Sequence, residues 1–161
     1  MEITLRKYQD KDLLQMVTIW NQVVEEANAF PQIEKLRKAD AKAFFESQTF
    51  TGVAIGENQV VGLYILHPNN IGRCGHIANA SYAVNKEYRG CHIGEKLVRH
   101  SMEIGRESGF SILQFNAVVC TNTGAIHLYE QMGFHRVGVI QNGYLLGNGN
   151  YEDIIIYYIK L

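Results

Sequence analysis

The sequence has little that would tie it to a polyanion, a lipid bilayer or an oxidising compartment. Fifteen Lys and Arg stand against sixteen Asp and Glu, a formal net charge of −1. No global positive field exists to hold nucleic acid or an anionic membrane surface, so any bound anion must be held by local geometry. Cysteine is scarce: Cys74, Cys91 and Cys120 are the only three. An odd number without a close pair is not a disulfide framework, and no spacing is the C-x2-C of a zinc site. The six histidines are scattered without metal-ligand spacing, so no metal is expected. The longest apolar run, 154–159, is far short of the ~20 residues of a membrane span. The charged amino terminus is unlike a signal peptide. There is no repeat, linker or low-complexity tract. These absences predict a soluble protein of a reducing, cytoplasmic compartment, with neither a nucleic-acid nor a membrane partner.

What remains is ordinary globular material: 161 residues, 47% hydrophobic and 19% charged. That length predicts one domain, 1–161, able to bury a core without staples. Hydrophobic period predicts strands at 2–6, 51–55, 60–67, 76–84, 112–119, 134–140 and 151–160. Helices are predicted from an Asp10 N-cap through Ala27, around Ala41, Phe44 and Phe45, over 90–105 and over 123–132. The Gly56-Glu57-Asn58 region reads as a hairpin turn, and 141–150 as a Gly- and Asn-rich loop. The order predicts an α/β fold of mixed α+β type, a mixed sheet with helices on both faces. Strand 76–84, its following helix and strand 112–119 form a parallel crossover unit.

Chemistry concentrates between the fourth strand and its crossover helix. Tyr88-Arg89-Gly90-Cys91-His92-Ile93-Gly94-Glu95 is a glycine-bearing turn feeding a helix N-terminus. Such a turn leaves N–H groups unpaired at the positive end of the helix dipole and suits a diphosphate. The alternative is a tight turn with no ligand. It is neither a Walker loop nor a dinucleotide fingerprint, since Gly-Lys-Ser/Thr and G-x-G-x-x-G are both absent. Asn122 and Thr123 compete for the N-cap of the last helix. Tyr129 falls on that helix's apolar face, where a core tyrosine is the plain alternative.

Arg89-Gly90-x-x-Ile93-Gly94, followed by Asn122-x-x-Ala125-x-x-Leu128-Tyr129-Glu130-x-x-Gly133-Phe134, resembles the two motifs of the GNAT superfamily of acetyl-CoA-dependent N-acetyltransferases. Ser81-Tyr82-Ala83-Val84 is similar to that family's fourth strand. Tyr151-Glu152-Asp153 resembles, more weakly, its phosphinothricin acetyltransferase-like branch. The resemblance implies a mostly antiparallel sheet with a splayed parallel pair. It implies acetyl-CoA as co-substrate, a small-molecule amine as acceptor, and an arrangement open to homodimer formation. Cofactor contacts carry over to Val84, Arg89, Gly90, Cys91, His92, Ile93, Gly94, Glu95 and Asn122. Tyr129 carries over as the group that protonates the departing thiolate.

Two positions depart from the pattern. His92 stands where the family has glycine. It either occupies a helical position or aims its imidazole at a phosphate. The fourth-strand glutamate that serves many relatives as general base falls on Asn79, which accepts no proton at neutral pH. A water held by Asn79 and Ser81 is one substitute, and His76 lies on the opposite face by alternation. The acceptor walls are expected from 25–35 and from the loop 141–151. A non-catalytic acetyl-CoA sensor on the same fold is the alternative function, and a thiol enzyme built on Cys91 a remote third.

Overall fold

The computed structural model describes all 161 residues. Seven strands form one sheet: β1 (Ile3–Lys7), β2 (Phe50–Gly56), β3 (Gln59–Pro68), β4 (Ile77–Val84), β5 (Ile112–Val119), β6 (His135–Leu145) and β7 (Tyr151–Lys160). Their spatial order is β1-β2-β3-β4-β5-β7-β6. Every neighbouring pair is antiparallel except β4 and β5. Helices α1 (Leu13–Glu26) and α2 (Lys38–Glu46) cover one face, while α3 (Ile93–Glu107) and α4 (Thr123–Gln131) cover the other.

The first helix does not start at Asp10 as its sequence suggests. Residues Asp10–Asp12 form a 3₁₀ turn, and α1 follows at Leu13. The reason is Asp12, whose carboxylate accepts from the Gln9 N–H at 2.8 Å and from both terminal nitrogens of Arg6, at 2.7 and 3.1 Å. The bond to Gln9 closes the 3₁₀ turn over Asp10–Asp12, and Asp12 makes no side-chain cap bond to α1 itself. Along α1, Met16, Val17, Ile19, Trp20, Val23 and Val24 are buried, the stripe a 3.6-residue period demands. Trp20 packs on Phe30, with centroids 4.4 Å apart, and edge-on to Phe44 at 5.2 Å. These contacts hold the segment after α1 and the start of the second helical layer together.

The β2–β3 hairpin turns at Glu57 and Asn58, whose φ angles of 51° and 63° match the twist of a two-residue hairpin loop. On the other face, α3 buries Ile93, Leu97 and Val98 against β3 and β4. Gly62 permits that approach: a Cβ there would lie 3.0 Å from Ile93 Cγ2.

Strand β6 is longer than the sequence pattern predicts. It runs on through Leu145, and only a short turn separates it from β7. The register shifts between Ile140 and Tyr144. Asn142 takes a φ of 55°, and its N–H donates to Asp153 Oδ1 at 2.9 Å. Residues that look like loop are thus an irregularity absorbed within the strand.

Candidate active site

Strands β4 and β5 pair in parallel only at Ile77 with Ile112 and Ala78 with Leu113. Beyond that point β4 stays with β3 as far as Val84, while β5 stays with β7. The β5–β7 register is irregular between Phe115 and Val118, and such a bulge bends a strand away from its former neighbour. The far half of β4 therefore presents one unpaired edge to a cleft. An extended ligand can add to it as a strand does.

At one end of the cleft lies the turn 89–95. Lys96 makes the first bond of α3, its N–H donating to the His92 carbonyl. None of the N–H groups of Gly90, Cys91, His92, Ile93, Gly94 and Glu95 donates to another group of the chain. A row of free donors at a helix N-terminus suits an anion such as a diphosphate. Gly90 has a φ of 82° and His92 one of 60°. His92 is therefore left-handed, not helical. Glycine is the residue that takes such a φ without strain, and His is one of the few others that visit it. Arg89 lies beside the turn, paired through both terminal nitrogens with the Glu26 carboxylate at the end of α1.

The cleft has three adjoining sections. The outer one, about 470 Å³, is lined by Gly90, His92, Ile93, Gly94 and Glu95 with Val84 and Leu128. The middle one, about 470 Å³, lies between β4 and α4 and shares Val84, Arg89, Gly94 and Leu128 with the outer section. The inner one, about 600 Å³, shares Tyr82, Asn122, Ala125 and Tyr129 with the middle section. Cys91 lines none of them, and its side chain is exposed.

Two expected side chains stand at the junction of the inner and middle sections. Asn122, rather than Thr123, caps α4: its side-chain oxygen accepts from the Ala125 N–H at 3.3 Å. Its amide nitrogen donates to no group of the chain, and the residue lines both sections. Tyr129 is wedged among Phe115, Phe134 and Tyr157, with centroids 4.5, 5.5 and 6.0 Å away. Burial raises its phenol well above the usual range, so it stays protonated. Its hydroxyl meets no hydrogen-bonding partner in the chain, unlike Tyr82, which is tied to Ser101 at 2.8 Å.

The inner section is walled by Ala29, Phe30, Pro31 and Gln32, by Phe44 and Gln48 at the end of α2, and by β3, β4 and β5. The segment 25–35 contributes as its sequence position suggests. The segment 141–151 does not line the cavity. It braces the wall from behind, the Tyr144 hydroxyl donating to the Phe30 carbonyl and the Gly147 N–H to the Ala27 carbonyl. The contributions of Phe44 and Gln48 were not visible in the sequence, because only tertiary packing brings α2 over the sheet. Asn79 lies in this wall, its amide nitrogen donating to Asn69 Oδ1 at 3.3 Å. Asn116 donates to the same oxygen at 2.7 Å. His76 lies outside the wall.

A seven-stranded sheet splayed at its single parallel pair, with a row of free N–H groups at the mouth of the splay, is the architecture of an acyl-CoA-dependent transferase. Residues 17–134 match the Acetyltransferase (GNAT) family. The chain belongs to that family and is an acetyl-CoA-dependent acyltransferase. It is 29% identical over 166 residues to N-acetyltransferase aca1 of Schizosaccharomyces pombe, a match covering 91% of this chain and 79% of that protein. It is similar to a GCN5-related N-acetyltransferase from Kribbella flavida, with a TM-score of 0.91 and 25% identity over 99% of this chain and 98% of that one. In fold it also resembles a phosphinothricin acetyltransferase from Sinorhizobium meliloti in complex with AcCoA. There the TM-score is 0.91 at 20% identity, covering 100% of this chain and 89% of that chain.

Proposed function

We propose that residues 1–161 act as one N-acetyltransferase domain that moves the acetyl group of acetyl-CoA to a primary amine by direct attack on the thioester. The observation that carries this reading is the junction formed by Asn122, Ala125 and Tyr129, which are common to the walls of the middle and inner sections. A pantetheine arm lying along β4 from a diphosphate on the N–H groups of 90–95 would end beside Tyr129. An amine entering the inner section would reach the same point. Gly94 supports the fit, because a Cβ there meets only Leu128 Cδ2, at 3.9 Å, and glycine leaves that volume to the ligand.

Each group has a separable task in this reading. The backbone N–H groups hold the diphosphate. The Asn122 amide nitrogen donates to the pantetheine arm. Asn79 and Ser81 position the amine or a water beside it. Tyr129 donates its proton to the departing sulfur. Because Cys91 is outside the cleft, no covalent enzyme intermediate is invoked. The three unpaired cysteines are compatible with a cytoplasmic setting.

Release of free thiol from acetyl-CoA, followed across an aliphatic amine, an arylalkylamine, an α-amino acid and a peptide N-terminus, tests the reading. Turnover with at least one is expected. Tyr129→Phe should then lose roughly a hundredfold in kcat, the low end of general acid catalysis, at unchanged acetyl-CoA affinity. The second reading, a sensor that binds acetyl-CoA without turnover, is favoured by the lack of any carboxylate in the inner wall. Tight binding of acetyl-CoA with no thiol release from any amine would establish it instead.

A further inference from the structure

The inner wall holds three titratable side chains, His67, Tyr82 and Tyr129, and no Asp, Glu, Lys, Arg or Cys. Both tyrosines are held protonated by burial. We infer that His67, near the end of β3, is the group that takes the proton from the acceptor amine. This deepens the transferase reading and rests on it.

The local geometry fits that task. His67 Nδ1 lies 2.9 Å from the Pro68 carbonyl oxygen. A carbonyl only accepts, so Nδ1 carries the hydrogen of the neutral ring, and Nε2 carries the lone pair. No group of the chain bonds to Nε2. His67 is the direct cross-strand partner of Asn79 in the β3–β4 register. Such partners point to one face with their Cβ atoms ~5 Å apart. Asn79 spends an amide hydrogen on Asn69, which leaves its own oxygen free to accept from an amine N–H. One amine nitrogen can thus meet an acceptor that orients it and a base that deprotonates it. The neighbouring elements bring only neutral groups to this corner: Phe44 from α2, Gln48 just after it, Ser81 from β4, Asn116 from β5, with Tyr129 from α4.

The step balances without a further reactant. A neutral amine attacks the thioester carbonyl carbon, the C–N bond forms and the C–S bond breaks. His67 Nε2 takes a proton from the nitrogen, and sulfur takes one from the Tyr129 hydroxyl. Water then returns the proton from the imidazolium to the phenolate.

The test uses the full chain and whichever amine of the panel it turns over fastest. His67→Gln keeps a polar side chain that accepts hydrogen bonds but no proton. It should lower kcat about a hundredfold or more, with acetyl-CoA affinity and melting temperature held. Added imidazole should restore part of the rate to His67→Ala, an effect no purely structural role would give. A folded His67→Gln with kcat within threefold of wild type would overturn the assignment while leaving the transferase reading intact. Absence of thiol release from the wild type with every amine would overturn both. Should neither variant fold, long-range proton–nitrogen NMR on the wild type decides: the Nδ1–H tautomer is expected, and an Nε2–H tautomer of His67 refutes the base.

Discussion

Gly94→Val tests the diphosphate site at its narrowest constraint. Gly94 is the second residue of α3 and lies in the walls of both the middle and outer cleft sections. A Cβ at this position meets only Leu128 Cδ2, at 3.9 Å, an ordinary contact with a flexible side chain. The fold therefore tolerates the substitution, and replacing glycine within a helix adds a few tenths of a kcal/mol of helix propensity. The new methyl groups instead project over the free N–H groups of Gly94 and Glu95. A phosphate oxygen must sit about 2.9 Å from such a nitrogen. Displacing it from one charge-assisted bond costs about 1.5–3 kcal/mol, roughly a ten- to hundredfold rise in the Kd for acetyl-CoA. Titration calorimetry on variant and wild type measures this directly, with thermal unfolding on the same samples as control. Gly94→Ala, with a single methyl, should fall between the two. Unchanged affinity in a folded Gly94→Val would place the diphosphate elsewhere and refute the reasoning from free N–H groups.

Three other perturbations separate the contributions around the cleft. His92→Gly removes the strain of a left-handed side-chain-bearing residue but frees the unfolded chain, so stability should change by under about 1 kcal/mol, a few degrees in Tm. Its acetyl-CoA affinity should stay within threefold in calorimetry, and a tenfold loss would make the imidazole a phosphate ligand. Glu26→Gln releases Arg89 from an exposed ion pair, worth about 0.2–1 kcal/mol, so acetyl-CoA should bind up to about fivefold tighter; weaker binding would contradict the competition. Asp12→Asn should destabilise by about 1.5–3 kcal/mol in urea unfolding at neutral pH. Burial pushes the Asp12 carboxyl up, but its bonds to Arg6 and to the Gln9 N–H outweigh this and leave it below the usual range. Its stabilisation is therefore complete above the unfolded value of about 3.9 and is lost as pH falls through the lower folded value. The difference between wild type and Asp12→Asn should close over that window and nowhere above it.

Much of the architecture was legible because local and global signals agree. The bounds of β5 and β7 follow from their apolar runs, and the β2–β3 turn follows from Gly56 and Asn58, residue types common in turns. Where the reading erred, a second interaction overrode the local one. Asp10 is a good N-cap by type, yet Asp12 bonds both Arg6 and the Gln9 N–H and closes a 3₁₀ turn before α1 begins at Leu13. Gln141-Asn142-Gly143 has the composition of a loop, but the Asp153 carboxylate bonds the Asn142 N–H and keeps the chain in the sheet. The outer half of the candidate site is legible for the same reason that it is local: seven consecutive residues, 89–95, form it. The inner half is assembled from α2, β3, β4 and β5, and no short motif spans those elements. His67 illustrates the limit. In sequence it is the polar end of a buried strand, and only the register with Asn79 reveals what it faces.

The character of the inner section follows from what its wall withholds. With no full charge in the lining, the section disfavours ionised forms of whatever it contains. That raises the Tyr129 phenol, and it equally raises the proton affinity of a thiolate developing beside it. Donor and acceptor shift in the same direction, so a buried phenol, a weak acid in water, remains matched to sulfur there. The same environment favours the amine over the ammonium ion, which presents the acceptor in its attacking form. A glutamate on β4 would accept a proton from the amine but would carry a charge into this lining at rest. On the proposed assignment, Asn79 orients the amine and His67 supplies the lone pair, dividing the glutamate's two tasks. A β4 without an acidic residue is therefore compatible with acyl transfer in an uncharged cavity, provided the imidazole across the strand pair supplies the lone pair.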